Sequence, residues 1–128
     1  MESVSATVWA GRILSGLAIA FLLFDAAGKL VKAAPVLKAT TELGYPEGAV
    51  FPIGVLLLVG VVLYAIPRTS VLGAIYLAGY LGGAVATQFR AGNPLATHTL
   101  FPVYVAAFVW GGLALRSSRL MSLLLGSL

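Results

Sequence analysis

The chain has 128 residues, of which 60% are hydrophobic and 9% charged. Soluble domains carry about 25% charged residues, so this composition excludes a water-covered globular surface, and the length allows a single domain. The lack of cysteine excludes disulfides, thiol relays, iron–sulfur clusters and thiolate-bound zinc, and the net charge of +4 comes from basic residues scattered at the ends of apolar segments, which suits lipid headgroups and not nucleic acid.

Four apolar segments, over residues 9–30, 48–66, 70–89 and 99–115, approach the roughly 20 residues needed to cross about 30 Å of hydrocarbon. Each must be a helix, because open sheet edges leave backbone groups unsatisfied in lipid. The predicted fold class is therefore all-α: one domain over 1–128, a transmembrane four-helix bundle with a short interfacial helix between its first and second helices. In the first segment no basic region precedes Trp9, where Glu2 is the only charge, and no small-x-small cleavage site appears before charge returns at Asp25 and Lys29. It reads as a retained spanning helix.

Pro35 is expected to stop that helix. Beyond it, Val36, Leu37, Thr40 and Leu43 fall on one face at helical spacing, with Lys38, Thr41 and Glu42 on the other and Gly44 as C-cap. That pattern predicts the short interfacial helix. Pro52 suits the first turn of the second span. Pro67-Arg-Thr-Ser70 predicts a tight turn whose hydroxyls cap the third span. Gly92-Asn-Pro94 closes the next loop, with Thr97 or Thr99 as cap candidates and Pro102 in the first turn of the fourth span. The tail from Arg116 to Leu125 reads as a second interfacial helix on the opposite side.

Four crossings put both termini on one side, with Arg12, Arg68, Arg116 and Arg119; Lys29, Lys32, Lys38 and Arg90 lie on the other. The positive-inside count is a tie. The tail arginines immediately beyond the last span favour cytoplasmic termini.

The third span carries two rows of small residues, Gly79, Gly83 and Thr87 beside Ala74, Ala78, Gly82 and Ala86. Small residues let helix backbones approach closely in lipid, so these rows predict packing within the bundle or a homo-oligomer contact. Tyr76 and Tyr80, one turn apart, either line a pocket or bond across helices.

The chemistry concentrates at one end. Asp25 and Lys29 lie one turn apart inside an apolar helix, and ionisable groups in lipid are costly enough that such a pair marks a functional site with its partner named. Lys29 lies roughly 25 Å along the helix from Arg12, and Asp25 about 6 Å deeper. The third span ends at the same boundary with Gln88 and Arg90, and the fourth begins there after His98. These five residues share one end of the bundle with the connection bearing Glu42, Tyr45 and Glu47, and together they predict a polar-bottomed pocket under the interfacial helix. Plainer roles exist for most of them. Lys29 can snorkel to headgroups, Arg90 can complement a helix C-terminus, His98 can be a hydrogen-bonded boundary residue, and Gln88 can bond a neighbouring backbone. Asp25 resists such an account, since a carboxylate below the interface needs a cation or a proton. One histidine falls short of a metal-ligand set and offers a haem at most one axial ligand. No metal is assigned, and no particular cofactor is indicated.

A run of motifs then forms a pattern: Gly11-Arg-Ile-Leu-Ser-Gly16, Phe24-Asp-Ala-Ala-Gly-Lys29, Leu43-Gly-Tyr-Pro46, Ile66-Pro-Arg-Thr-Ser-Val-Leu-Gly-Ala74, Gly79-Tyr-Leu-Gly-Gly-Ala-Val-Ala-Thr-Gln-Phe-Arg90, Phe101-Pro-Val-Tyr104 and Val109-Trp-Gly-Gly112. In this order they resemble the DoxX-like family of small four-helix membrane proteins. The resemblance implies a four-helix bundle in a bacterial cytoplasmic membrane, with termini inside. Some relatives are subunits of quinone-linked sulfur oxidation systems, others are tied to oxidative stress, and a distant eukaryotic branch resembles receptor-assembly chaperones. The family pattern often has His at position 88 and Asp at position 93, where this chain has Gln88 and Asn93. A proton relay or metal site at those positions therefore does not carry over, whereas Asp25, Lys29, Arg90 and His98 keep the expected types.

The functional expectation is a lipophilic molecule, quinone- or isoprenoid-like, held between the helices, in a binding module or an oxidoreductase-associated component. Asp25 would be the acid or base, tuned by Lys29 or His98, while Tyr76, Tyr80, Gln88 and Arg90 would bind the ligand. Redox work would need a bound cofactor or a partner subunit. The alternative is an assembly protein docking a membrane partner through the small-residue face of the third span.

Overall fold

The computed structural model describes residues 6–124 and 126; Glu2 and Leu125, named above, lie outside the described residues. Among the described residues the structure is helical with no strand. The helices are α1 (Ala6–Leu30), α2 (Ala34–Glu42), α3 (Val50–Ala65), α4 (Ser70–Arg90), α5 (Phe101–Arg116) and α6 (Ser118–Leu124). With their leading turns, four stretches are long and apolar enough to cross a membrane: Ala6–Leu30, Glu47–Ala65, Pro67–Arg90 and Leu95–Arg116. α1 packs against α3 and α5, and α4 packs against the same two, so α1 and α4 stand on a diagonal of the bundle. The core runs down the axis through Leu22, Leu57, Leu77 and Val109, all fully buried.

The helix ends show where backbone chemistry overrides the sequence signals. α1 ends before Pro35, at a left-handed residue, Lys32 (φ 54°). The Lys32 N–H bonds the Lys29 carbonyl (3.2 Å) and the Ala33 N–H bonds that of Gly28 (3.0 Å), the paired bonds of a Schellman cap. Pro35 instead sits in the first turn of α2, where its missing N–H costs nothing. α2 and α4 end in the same motif with glycine in the left-handed position, Gly44 (φ 100°) and Gly92 (φ 75°). The hydroxyls of Thr69 and Ser70 do not cap α4. They fold back on the last turn of α3, Thr69 donating to the Leu63 carbonyl at 2.7 Å and Ser70 to that of Tyr64. Pro67 ends α3, so those carbonyls are the orphans that need donors. Thr97 and Thr99 do not cap α5 either. That helix is led by a π-turn (Leu95–Thr99) whose backbone bonds already engage the amides of residues 98–100, and Thr99 donates to the Asn93 carbonyl at 3.3 Å.

Candidate functional site

The end of the bundle that holds α2 encloses a cavity of about 580 Å³, within the range of about 300–1,000 Å³ usual for small-molecule pockets. Its walls are mostly apolar, with polar side chains contributed by α1, α2 and α4.

Asp25 and Lys29 come from the last two turns of α1. Lys29 Nζ donates to Asp25 Oδ1, and both side chains are half-buried. Acid before base at this spacing is the favourable order on a helix, and Lys29 in the last turn also complements the dipole. α3 approaches closely at this point because residue 54 is glycine; a Cβ there would lie 2.8 Å from Lys29 Cβ.

The roof is α2. Pro35, Val36, Ala39, Thr40 and Leu43 face the cavity, while Lys38 and Glu42 stay exposed. Two contacts from α4 hold the roof's C-terminal end: the Tyr45 and Thr87 hydroxyls are 3.1 Å apart, and Arg90 Nη2 donates to the Leu43 carbonyl at 2.8 Å. The α4 wall consists of two adjacent rows, Gly79, Gly83 and Thr87 with Tyr80, Ala84 and Gln88. A Cβ built at Gly79 or Gly83 would meet no atom within 4 Å. These glycines therefore create space rather than bringing helices together. The expectation that this row packs inside the bundle is corrected accordingly. Close approach is made elsewhere, by Gly11 with Gly112, Gly54, Gly60 and Gly73, where an added Cβ would fall on neighbouring atoms.

Of the residues singled out in the sequence, the cavity brings together Asp25, Lys29, Tyr80 and Gln88 and leaves out Tyr76, Arg90 and His98. Each absence has a physical reason. The Tyr76 hydroxyl donates to the Leu56 carbonyl at 2.7 Å and its ring lies on Gly60, so it bonds across helices. Arg90 is engaged on the Leu43 carbonyl and stacks over Gly44, the turn that ends α2. His98 Nδ1 pairs with the neighbouring Thr97 hydroxyl at 2.8 Å within the π-turn. Among the described residues the Tyr80 hydroxyl has no hydrogen-bond partner, and Gln88 Oε1 accepts from Asn93 Nδ2 at 2.5 Å, leaving the Gln88 amide NH₂ to donate.

A family model described as the DoxX-like family matches residues 13–112. This chain belongs to the DoxX-like family. The match spans every element of the cavity, from Phe21 on α1 to Val105 on α5. No curated protein and no solved structure shows significant similarity to the chain. Membership and the four apolar spans make it a multi-pass integral membrane protein. In this DoxX-like bundle Gln88 and Asn93 are hydrogen-bonded to each other and form a neutral pair.

Sequence reasoning missed the roles of Gly79 and Gly83 and the aromatic side of the cavity, Phe21 and Phe101. A signal for the first existed. Tyr80, Thr87 and Gln88 sit on the same stripe as the glycines, and a stripe made for lipid-buried helix contact has no need of polar residues at its end.

Proposed function

We propose that this protein binds a lipophilic small molecule with a quinone- or isoprenoid-like body in the chamber under α2. The observation that carries this reading is a sizeable, mostly apolar cavity whose lining includes the Asp25–Lys29 ion pair, the Tyr80 phenol and the Gln88 amide. Asp25 and Lys29 neutralise each other, so the site favours an uncharged head with a carbonyl or hydroxyl over an ion. Lys29, Tyr80 and Gln88 supply donors for it, and the second carboxylate oxygen of Asp25 is the acceptor. Where proton transfer accompanies binding, Asp25 is the acid or base and Lys29 sets its charge. The chain brings no cysteine and one histidine outside the chamber, so redox work would draw on a bound cofactor or a partner oxidoreductase subunit. Family membership supports a bacterial cytoplasmic membrane, and the tail arginines support cytoplasmic termini.

Gentle extraction followed by native mass spectrometry tests the reading. The wild type should release a stoichiometric neutral amphiphile, and Asp25→Asn should fold and express as before yet lose it. A wild type that carries nothing, or an Asp25→Asn variant that keeps its ligand, defeats the proposal.

A second reading, docking of a membrane partner, is favoured by the other small row of α4. Ala78, Gly82 and Ala86 are exposed, do not line the chamber, and leave open space at Gly82. Gly82→Leu would break such a complex while leaving ligand retention unchanged, which separates the two roles.

A further inference from the structure

A second hollow adjoins the chamber. A groove of about 300 Å³ runs down the outer side of α1 and α5, lined by Leu17, Phe21, Phe101, Tyr104, Val105 and Phe108. Phe21, Phe101 and Val105 line the chamber as well. The boundary between the hollows is an edge-on pair of rings, Phe21 and Phe101, with centroids 5.4 Å apart and planes at 66°. Both rings are exposed, 40% and 43%.

We propose that this groove is the tail site for the ligand whose head the chamber holds, and that the ligand reaches it sideways from the bilayer between α1 and α5. The inference rests on the head-site reading above. Its own support is chemical and directional. The one polar atom among the groove's side chains, the Tyr104 hydroxyl, is bonded to the Ala96 carbonyl at 2.8 Å. Nothing polar is left for a headgroup, and a hydrocarbon chain is the matching occupant. Leu17 lies two turns below Asp25, about 12 Å deeper in the membrane. Phe108 lies about 10 Å below Phe101 on α5. A head at the ion pair and a tail in the groove therefore reproduce the orientation an amphiphile already has in one leaflet. The groove also has a floor. One turn past Phe108, α1 and α5 close on each other at Gly11 and Gly112, where a Cβ on Gly11 would be 2.7 Å from the Gly112 carbonyl oxygen.

The test uses the full chain in lipid nanodiscs with a long-chain alkyl benzoquinone carrying a diazirine, either beside the ring or at mid-tail. After irradiation and peptide mapping, the ring-proximal label should mark the chamber and the mid-tail label should mark the segments around Leu17 and Phe108. Asp25→Asn should lower both labels about tenfold, the loss expected for one charge-assisted hydrogen bond. Leu17→Trp, at a lipid-facing position, should abolish the tail label and keep ring labelling by a short-tailed analogue. Groove labelling that persists in Asp25→Asn means bulk lipid contact and overturns the proposal. A tail label between α3 and α4 overturns it while leaving the head site standing. No saturable labelling by any probe defeats the head site and the tail site together.

Discussion

The two ends of this bundle use the same materials to opposite effect. At the end where α1 begins and α5 stops, Gly11, Gly73 and Gly112 bring helices into backbone contact. Tyr64, 1% exposed, locks that end: its hydroxyl lies 2.8 Å from Ser15 Oγ and donates to the Val109 carbonyl at 2.5 Å. One phenol thus ties α1, α3 and α5, with the Arg116 guanidinium 5.9 Å above its ring. At the other end Gly79 and Gly83 face open space, and the Tyr80 hydroxyl, on the chamber wall, has no hydrogen-bond partner among the described residues. A small residue in a membrane helix draws a neighbour close only when that neighbour offers backbone or another small residue opposite. Gly73 has the backbone of residues 63 and 64 opposite it, whereas Gly79 and Gly83 have the underside of α2 across a void. One end is closely packed and the other leaves a cavity, where we propose the site lies.

Inserting the same large side chain at each end is the strongest way to break this contrast. Gly73→Leu drives a side chain into the α3 backbone, with even its Cβ 2.6 Å from Tyr64 Cα, and should cost about 3 kcal/mol or more, since backbone cannot step aside as a side chain can. Loss of a monodisperse peak and of the thermal transition in detergent would report it. Gly83→Leu should keep both and lose only the chamber's ligand. Equal damage from the two substitutions would show that the chamber end is packed after all.

Next in size is the lock. Tyr64→Phe keeps the ring and removes the hydroxyl that serves Ser15 and Val109, a loss of about 1–2 kcal/mol within a membrane helix bundle. Tyr80→Phe, its counterpart in the chamber, should leave the unfolding midpoint unchanged while weakening ligand retention. Parallel thermal melts of the two variants read the difference directly.

Much of this architecture was legible in the sequence, for physical reasons that also explain the misses. Lipid demands about 20 apolar residues per crossing and forbids unpaired backbone, so the four spans and α2 followed from patterning alone. Asp25 and Lys29 stood out because charge inside an apolar helix is rare and their spacing makes each the other's partner. Tyr64 did not stand out, because it lies in the apolar run of α3 and its partners, Ser15 and Val109, are 49 and 45 residues away. Lys32 ends α1 in a conformation that glycine usually supplies, and no local pattern marks it. Thr69 and Ser70 look like caps of the following helix, yet the greater need lay with the carbonyls behind them. The rows of small residues carried the least information about their use, since spacing specifies a smooth face but not what stands opposite.

The smallest expected effect separates the two ends by sign. In an open helix interior, Gly→Ala gains about 0.5–1 kcal/mol because alanine gives up less conformational freedom on folding. Gly79→Ala meets no atom within 4 Å, so it should raise the unfolding midpoint slightly. Gly112→Ala places the same methyl 2.7 Å from the Ser15 backbone nitrogen and should lower it, the clash outweighing the propensity gain. The pair also reports on what the chamber face meets in the membrane. Were Gly79→Ala to destabilise as Gly112→Ala does, the space beside Gly79 would have to be filled in the native assembly, by a tightly held ligand or by another helix. Repeating the melt after delipidation then distinguishes them, because removing a ligand restores the alanine gain, whereas a docked helix keeps the penalty until the complex is taken apart.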